Sequence, residues 1–325
     1  MMLKTLMWGW RLAVGGLVLL LAGCAGRAGM EGIVALIPTG QWPEDVVFDP
    51  ETQTIFIADE GSATVTAIDA GTRTVRGTLR LQTRARHLAV AAGRLYAPNE
   101  HSRFVGVYDA RTLVEVGRVA VGEQPHGLAV DASRGRLLVG NEEDGTAALV
   151  DTTTLRPIAV IPVGRGPGGV TADAGSGRGF VVSVKENRVT AVDLTTGAVL
   201  GSLPVGAGPT HLRANSRTGL VYVCNTEADS VTVLDGRALA VRATIPVGRY
   251  PFPVTIDEAR GHAFIVNNRD ATLSVIAEDG LRVVETRPIP PNVSSLALDQ
   301  PRGLLHLALK SDNRLAVFPV PGTRP

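Results

Sequence analysis

The amino-acid sequence predicts an all-β fold, a seven-bladed β-propeller built from four-stranded blades. Three observations lead to this prediction. A unit of about 42 residues recurs seven times, each unit contains short runs of alternating apolar residues, and the chain begins with one extra run that the last unit lacks. Gly and Pro, at 37 and 20 of 325 residues, provide many turns. Units of this length with four short strands are typical of propeller blades, which bury their apolar faces against neighbouring blades.

The N-terminus precedes the repeats and has the layout of an export signal. Lys4 and Arg11 precede an apolar run, which ends in small residues just before Cys24. The tetrad "LAGC" resembles a bacterial lipobox, which implies cleavage before Cys24 and acylation of that residue. A transmembrane anchor is the alternative, but the apolar run is shorter than the roughly 20 residues of a spanning helix. Ala25 stands where Asp would signal inner-membrane retention, so we expect a lipid anchor in the outer membrane that faces the periplasm.

Three strand motifs then recur in a fixed order. Most copies of the clearest one end in Asp: "TVTAID", "FVGVYD", "TAALVD", "RVTAVD", "SVTVLD", "TLSVIA" and "RLAVFP". Before each lies a tetrad: "FIAD", "YAPN", "LVGN", "FVVS", "YVCN", "FIVN" and "HLAL". A third motif, such as "DVVFD", precedes the tetrad, and a fourth strand, such as "RATIPVG", follows the Asp. We assign the repeated Asp, Thr and Asn residues to turn capping rather than catalysis.

The two ends of the repeat region complete each other. The chain starts with a lone fourth-type strand, "GIVALIPTG", and ends after three strands of the seventh unit. Pairing the first strand with the last unit would close the ring and leave no open sheet edge. The expected organisation is therefore a signal peptide over 1–23, the lipidated Cys and a short linker over 24–31, the propeller over 32–320 and a tail over 321–325.

The units resemble the YVTN repeat of bacterial envelope propellers, including YncE-like proteins. "YVCN", "VTVLD" and "TIPVG" match the pattern of that family, whereas "FVVS" and "HLAL" depart from it. The resemblance covers residues 32 to 320 and implies a propeller of the cell envelope.

Charge and cysteine content exclude some functions. Lys and Arg number 32 against 31 Asp and Glu, and residues 1–23 hold only two of the basic ones, so the remaining chain is almost neutral. No basic block indicates a nucleic-acid partner. Cys224 is the only cysteine besides Cys24, which excludes an intramolecular disulfide once Cys24 is acylated. We expect Cys224 to pack as a small buried residue and the protein to be a monomer.

Candidate ligand-binding residues gather on one face. Propeller topology puts the turns that lead into the innermost strands and the turns between second and third strands on the same side, here called the top face. His87, His211 and Asp45 occupy the same register in three units, so all three are expected to point into the axial channel. Blades two and five are three steps apart, so we expect His87 and His211 on opposite sides of a bound ligand. The predicted binding residues are Trp42, Asp45, Arg86, His87, His126 and His211.

Two further sites remain open alternatives. Converging imidazoles suit a divalent metal, with His87, His126 and His211 as ligands. No short ligand motif accompanies them, so no cofactor is predicted, and each His could simply satisfy a backbone group. A second cluster follows the tetrads of blades one to three in identical register: Glu60, Glu100 and Glu142. It is expected to form an acidic arc on the rim that docks a partner, or to be merely solvated.

The leading functional prediction is a non-enzymatic, lipid-anchored scaffold that recognises an envelope protein, a glycan or a small ligand on the top face. One alternative is a lactonase-like hydrolase, as in some propellers that resemble this one, with Glu44, Arg86, His87 and His211 as base and anion clamp. The other is a metal or cofactor carrier. The sequence contains no nucleophile motif, and C-x-x-C-H is absent, which excludes covalent haem c.

Overall fold

A computed structural model describes residues 31–322, which form a ring of seven antiparallel sheets, each with four strands. The predicted seven-bladed propeller is confirmed. The predicted signal peptide, Cys24 and most of the linker lie outside the described residues. Within residues 31–322, no helix has the length and apolarity to cross a bilayer.

The strands of each blade are named A to D from the axis outward. The first strand in the chain is β1 (Ala35–Pro38), and it serves as strand D of blade seven. Blades one to three follow as β2 (Pro43–Asp49), β3 (Thr54–Asp59), β4 (Thr64–Asp69) and β5 (Thr74–Arg80); β6 (Ala89–Ala91), β7 (Arg94–Pro98), β8 (Phe104–Asp109) and β9 (Glu115–Ala120); β10 (Pro125–Asp131), β11 (Arg136–Asn141), β12 (Thr146–Asp151) and β13 (Arg156–Pro162).

The remaining blades repeat the pattern. They are β14 (Pro167–Asp173), β15 (Arg178–Ser183), β16 (Arg188–Asp193) and β17 (Val199–Pro204); β18 (Pro209–Ala214), β19 (Leu220–Asn225), β20 (Ser230–Asp235) and β21 (Ala240–Pro246); β22 (Pro251–Asp257), β23 (His262–Asn267), β24 (Thr272–Ala277) and β25 (Arg282–Pro288); β26 (Val293–Asp299), β27 (Leu304–Leu309) and β28 (Arg314–Pro319). Short 3-10 helices occupy the B to C loops of blades one, four and seven: Glu60–Ser62, Val184–Glu186 and Lys310–Asp312.

The repeated Asp residues hold the C to D turns, as predicted. The Asp69 carboxylate accepts hydrogen bonds from the Gly71 and Thr72 N–H groups at 3.0 and 2.7 Å and from the Thr72 hydroxyl at 3.0 Å. Asp193 makes the same contacts with Thr195 and Thr196. These bonds satisfy turn amides that strand pairing leaves free, so the recurring Asp is structural.

The core lies between blades, because each sheet buries its faces against both neighbours. Between blades seven and one, Ile37, Leu315 and Val317 of blade seven pack with Val46 and Ile55 of blade one. Each of the seven clusters of buried apolar side chains in the described chain spans two blades in this way. A single blade therefore has no complete core of its own.

Strand β1 closes the ring. Ala35 to Pro38 pair antiparallel with Val317 to Arg314, and the Val34 N–H donates to the Val317 carbonyl at 2.8 Å. The predicted pairing of the N-terminal strand with the last blade is confirmed. Since strand D runs toward the top face, both ends of the described chain meet on the opposite, lower face.

Candidate functional site

The axis of the ring holds three cavities. A funnel of about 310 Å³ opens on the top face, a constriction of about 10 Å³ follows, and a cavity of about 340 Å³ opens on the lower face. His87 lines both the funnel and the constriction, and Arg213 lines both the constriction and the lower cavity. A second top-face cavity of about 480 Å³ adjoins the funnel at Glu44 and Phe252.

Irregular strand starts position the inward side chains. The pairing of strands A and B shifts register between Pro43 and Asp45 and between Pro209 and His211, and such bulges redirect side chains. In blade two, strand A begins only at Ala89, so the Leu88 N–H is free of strand pairing and donates to the Asp45 carboxylate at 2.8 Å.

Asp45 is buried in the constriction and its oxygens are occupied by its neighbours. The Ser295 hydroxyl donates to Oδ1 at 2.6 Å, and His87 Nδ1 lies 3.8 Å from Oδ2. Burial alone would raise the pKa of Asp45, but His87, Ser295 and the Leu88 N–H together lower it to about 2. Asp45 therefore lies beside His87 in the constriction and does not line the funnel.

The histidines stand closer together than predicted. The His87 and His211 rings stack with centroids 6.1 Å apart, and His126 meets His87 edge to face at 4.8 Å. The expectation of a ligand gripped between His87 and His211 is therefore wrong, because seven inner strands leave so narrow an axis that rings from distant blades touch. His211 Nδ1 accepts from the Val254 N–H at 3.4 Å. His211 lies in the constriction, out of the funnel.

The funnel wall combines polar side chains, both charged and uncharged, with aromatic rings. Burial lowers the pKa of His126 to about 3, with smaller contributions from His87 and Arg86, so His126 is neutral at physiological pH. Its Nδ1 is buried and has no hydrogen-bond partner within the described chain. Tyr250 and Phe252 line the side facing blade six.

The acidic arc is largely neutralised, which corrects the expectation of an open docking rim. Glu60 and Glu100 are buried, and Arg86 Nε lies 3.3 Å from Glu60 and 3.1 Å from Glu100. Arg84 contacts both carboxylates, and Lys310 lies 3.1 Å from Glu60 while also contacting Glu44. Although burial alone would raise the pKa of Glu60, these cations lower it.

The third member of the arc differs from the other two. Glu142 is only half-buried, lines the funnel and accepts a hydrogen bond from Gln124 Nε2 at 3.3 Å. It remains the one unneutralised carboxylate of the predicted set.

Trp42 lies on the top face, as expected, but it is not part of the funnel lining. Its side chain is 58% exposed and covers Gly61, where a Cβ would lie 3.1 Å from Trp42 Cδ2. The backbone N–H of Trp42 donates to Asn313 Oδ1 at 2.8 Å, and this hydrogen bond links blades one and seven. Trp42 therefore belongs to the outer rim above the seam.

The geometry gives no support to a metal centre. Residues 31–322 contain no group of three or more His, Cys, Asp or Glu side chains arranged to hold a metal ion. Asp45 and His211 instead accept hydrogen bonds from Ser295 and from backbone amides. Cys224 is fully buried among apolar side chains, and burial raises the pKa of its thiol. It packs as predicted.

Sequence reasoning missed several funnel and channel residues. Lys185 reaches the funnel from a 3-10 helix and makes no ion pair within the described residues. Tyr250 and Phe252 flank the Pro of their D to A turn, a position that strand periodicity does not report. Arg213 could have been found, because it lies two residues after His211 on the same inner strand and must face the same channel.

No protein-family model matches the chain, and no curated protein sequence matches it significantly. Among solved structures, hydrazine synthase from Kuenenia stuttgartiensis is similar, with a TM-score of 0.75 and 17% sequence identity. The match covers 93% of this chain and 100% of that chain. At this identity the likeness concerns the propeller fold alone.

Proposed function

We propose that the protein is a lipid-anchored binding scaffold of the bacterial cell envelope, related to the YVTN-repeat propellers, whose top-face funnel binds a small polar ligand or the end of a glycan. One observation carries the proposal. The funnel floor presents the neutral His126 and its neighbour His87 beside aromatic rings, while two of the four charged residues that line the funnel, Arg86 and Glu44, are held in ion pairs. Such a concave surface with a few convergent polar groups is typical of small-molecule sites.

The ligand proposal is tested on full-length protein extracted from its native membrane and examined by native mass spectrometry. A co-purifying mass is expected in the wild type and in His262→Ala, whose side chain lies in blade six beyond the funnel. It should be lost or strongly reduced in His87→Ala and His126→Ala. Equal retention in all four proteins would contradict the funnel as the binding site.

The anchor is tested separately. The "LAGC" tetrad and the short apolar run support acylation at Cys24 and outer-membrane attachment facing the periplasm. Cys24→Ala should leave the precursor uncleaved. The variant should also incorporate no label when cells are grown with an alkyne fatty acid. Unchanged labelling and processing would contradict the lipoprotein proposal.

A hydrolase remains the second candidate because of one contact. Asp45 lies below His87 Nδ1, which leaves Nε2 as the nitrogen available to a ligand, and Arg86 stands beside it in the funnel. A carboxylate that orients an imidazole is one arrangement for general-base catalysis. If the wild type hydrolyses gluconolactone faster than His87→Gln does, the result would favour this candidate. Equal rates for the two proteins would argue against it.

A further inference from the structure

The layer of inward-facing residues below His211 contains a single charged side chain. Two residues beyond Asp45 and its equivalents, each inner strand presents one side chain to the channel, and six of these seven are Val, Ala or Thr. The seventh is Arg213, which lines both the constriction and the lower cavity. A lone guanidinium in an otherwise small and uncharged layer does not follow from the repeat pattern.

The Arg213 guanidinium has no counter-ion of its own. Within residues 31–322 it makes no ion pair and no side-chain hydrogen bond, and the acidic group that influences it is Asp45. The Asp45 oxygens already accept from Ser295 and from the Leu88 N–H. Burial of this cation lowers its pKa, the expected effect of removing a charge from water without a partner. An anion beside Arg213 would offset that cost.

The lower cavity offers further contacts for such an anion. The Thr255 hydroxyl and the Gln300 amide line it and have no hydrogen-bond partner within the described chain. Phe48 and Ile256 contribute apolar surface. Glu258 also lines the cavity, but its Oε1 accepts from the Ser216 N–H at 3.0 Å. At about 340 Å³, the cavity falls at the lower end of the roughly 300–1,000 Å³ found for ligand sites.

We propose that the lower cavity is a second binding site, distinct from the funnel, that accepts a small organic monocarboxylate. The guanidinium of Arg213 receives the carboxylate, since its planar fork matches two carboxylate oxygens. The Thr255 hydroxyl donates to the same group, and the body of the ligand lies against Phe48 and Ile256. Arg213 is the only cation among the described residues that line the cavity, and Glu258 adds a carboxylate there, which disfavours a phosphate dianion more than a monocarboxylate.

The test uses benzoate as the probe in isothermal titration calorimetry of the full chain. Wild type should bind benzoate, and Arg213→Met should weaken binding about tenfold or more because charge-assisted hydrogen bonds are lost. Thr255→Val should weaken it by a smaller factor. Arg103→Met, which removes an equal charge from a side chain that is 66% exposed, should change nothing.

Other outcomes would overturn the proposal. These are no benzoate binding by wild type at tens of millimolar, equal affinity in Arg213→Met, or equally tight binding of uncharged benzamide. Inorganic phosphate that displaces benzoate with comparable affinity would exclude the carboxylate assignment. If Arg213→Met fails to fold, Arg213→Lys keeps the charge without the fork; weaker benzoate binding then supports the site, and unchanged binding contradicts it.

Discussion

Asp59 stands at the end of strand B, where four other blades have Asn. In blade five, Asn225 Nδ2 donates to the Thr232 hydroxyl at 2.8 Å, whereas in blade one the Thr66 hydroxyl donates to Asp59 Oδ2 at 2.6 Å. Burial raises the pKa of Asp59 to about 6, although the Thr66 and Thr64 hydroxyls act in the opposite direction. Blade one thus buries a carboxylate where four other blades bury a neutral amide.

Asp59→Asn should raise the melting temperature at pH 8 by a few degrees. The unfolded carboxyl titrates near 3.8 and the folded one near 6, so between these values the unfolded chain has lost a proton that the folded chain keeps. Stability therefore falls as pH rises through this window and stays reduced above it. The variant should lack that pH dependence when unfolding is followed by calorimetry from pH 4 to pH 8.

The matched control is Asp235→Asn in the C to D turn of blade five. Its N–H donors, Arg237 and Ala238, favour the ionised form and lower the pKa of Asp235, so this variant should not gain stability at pH 8. A melting temperature of Asp59→Asn below that of wild type at pH 8 would refute the argument.

Register predicts which side chains face the channel, but not what they contact there. Asp45, His87 and His211 were identified because they share one repeat position, and all three do line the channel. Their contacts depend on the small diameter of the ring, which a repeat pattern does not encode. The same is true of Lys310 and Glu44, which meet only because the loops of blades seven and one adjoin at the seam.

Among the elements, the seam strand β1 occupies the same position as the D strands of complete blades. Ile37 pairs with Leu315 and is 4% exposed, while Ile245 in β21 pairs with Val231 and is 5% exposed. Each belongs to an inter-blade cluster. Strand β1, which no turn connects to its partner β28, is therefore packed as deeply as a strand D that follows its strand C directly in the chain.

Ile37→Ala and Ile245→Ala should each lower the free energy of unfolding by roughly 2–5 kcal/mol, and the two losses should agree within about 1 kcal/mol. Urea unfolding followed by circular dichroism measures both. Val75→Ala on strand β5, where Val75 is 47% exposed, should stay within about 0.5 kcal/mol of wild type. A clearly smaller loss for Ile37→Ala would show that the seam opens before the rest of the ring.

Strand order and number were predictable because alternation with period two is strong in every unit. The missed feature was strand A of blade two, which is only Ala89–Ala91. The sequence shows a shortened A to B turn there, formed by Ala92 and Gly93 at φ 50° and 70°. It does not show that His87 and Leu88 lie outside the strand, because "HLAVA" is compatible with a strand that begins at His87.

At the scale of the whole molecule, the chain direction fixes which face lies nearer the proposed lipid anchor. Strand β1 runs from the lower face to the top face, so residues 31–34, which precede it in the described chain, lie at the lower face. The lower cavity with Arg213 would then face the membrane, and the funnel with His126 would face away from it.

This orientation is measurable with single cysteine labels. Cys224 is buried, so fluorophores should react selectively at Glu143→Cys in a top loop or Asp279→Cys in a lower turn, both at exposed positions. In proteoliposomes, a quencher in the lipid headgroups should dim the label at 279 more than the label at 143. Cys24→Ala should remove the difference, and stronger quenching at 143 would reverse the proposed orientation.

Both ends of the described chain meet at β1 and β28, so the ring is interrupted only at the place of one C to D turn, in blade seven, and each of the seven blades offers a comparable place. The order of the blades along the chain is therefore not essential to the ring. A circular permutant that links β28 to β1 and begins in another C to D turn should fold into the same ring. The number of blades is constrained more tightly than the order in which the chain forms them. Gain or loss of a single unit would change the curvature of the ring and with it the distance between β1 and β28, which must pair to close it.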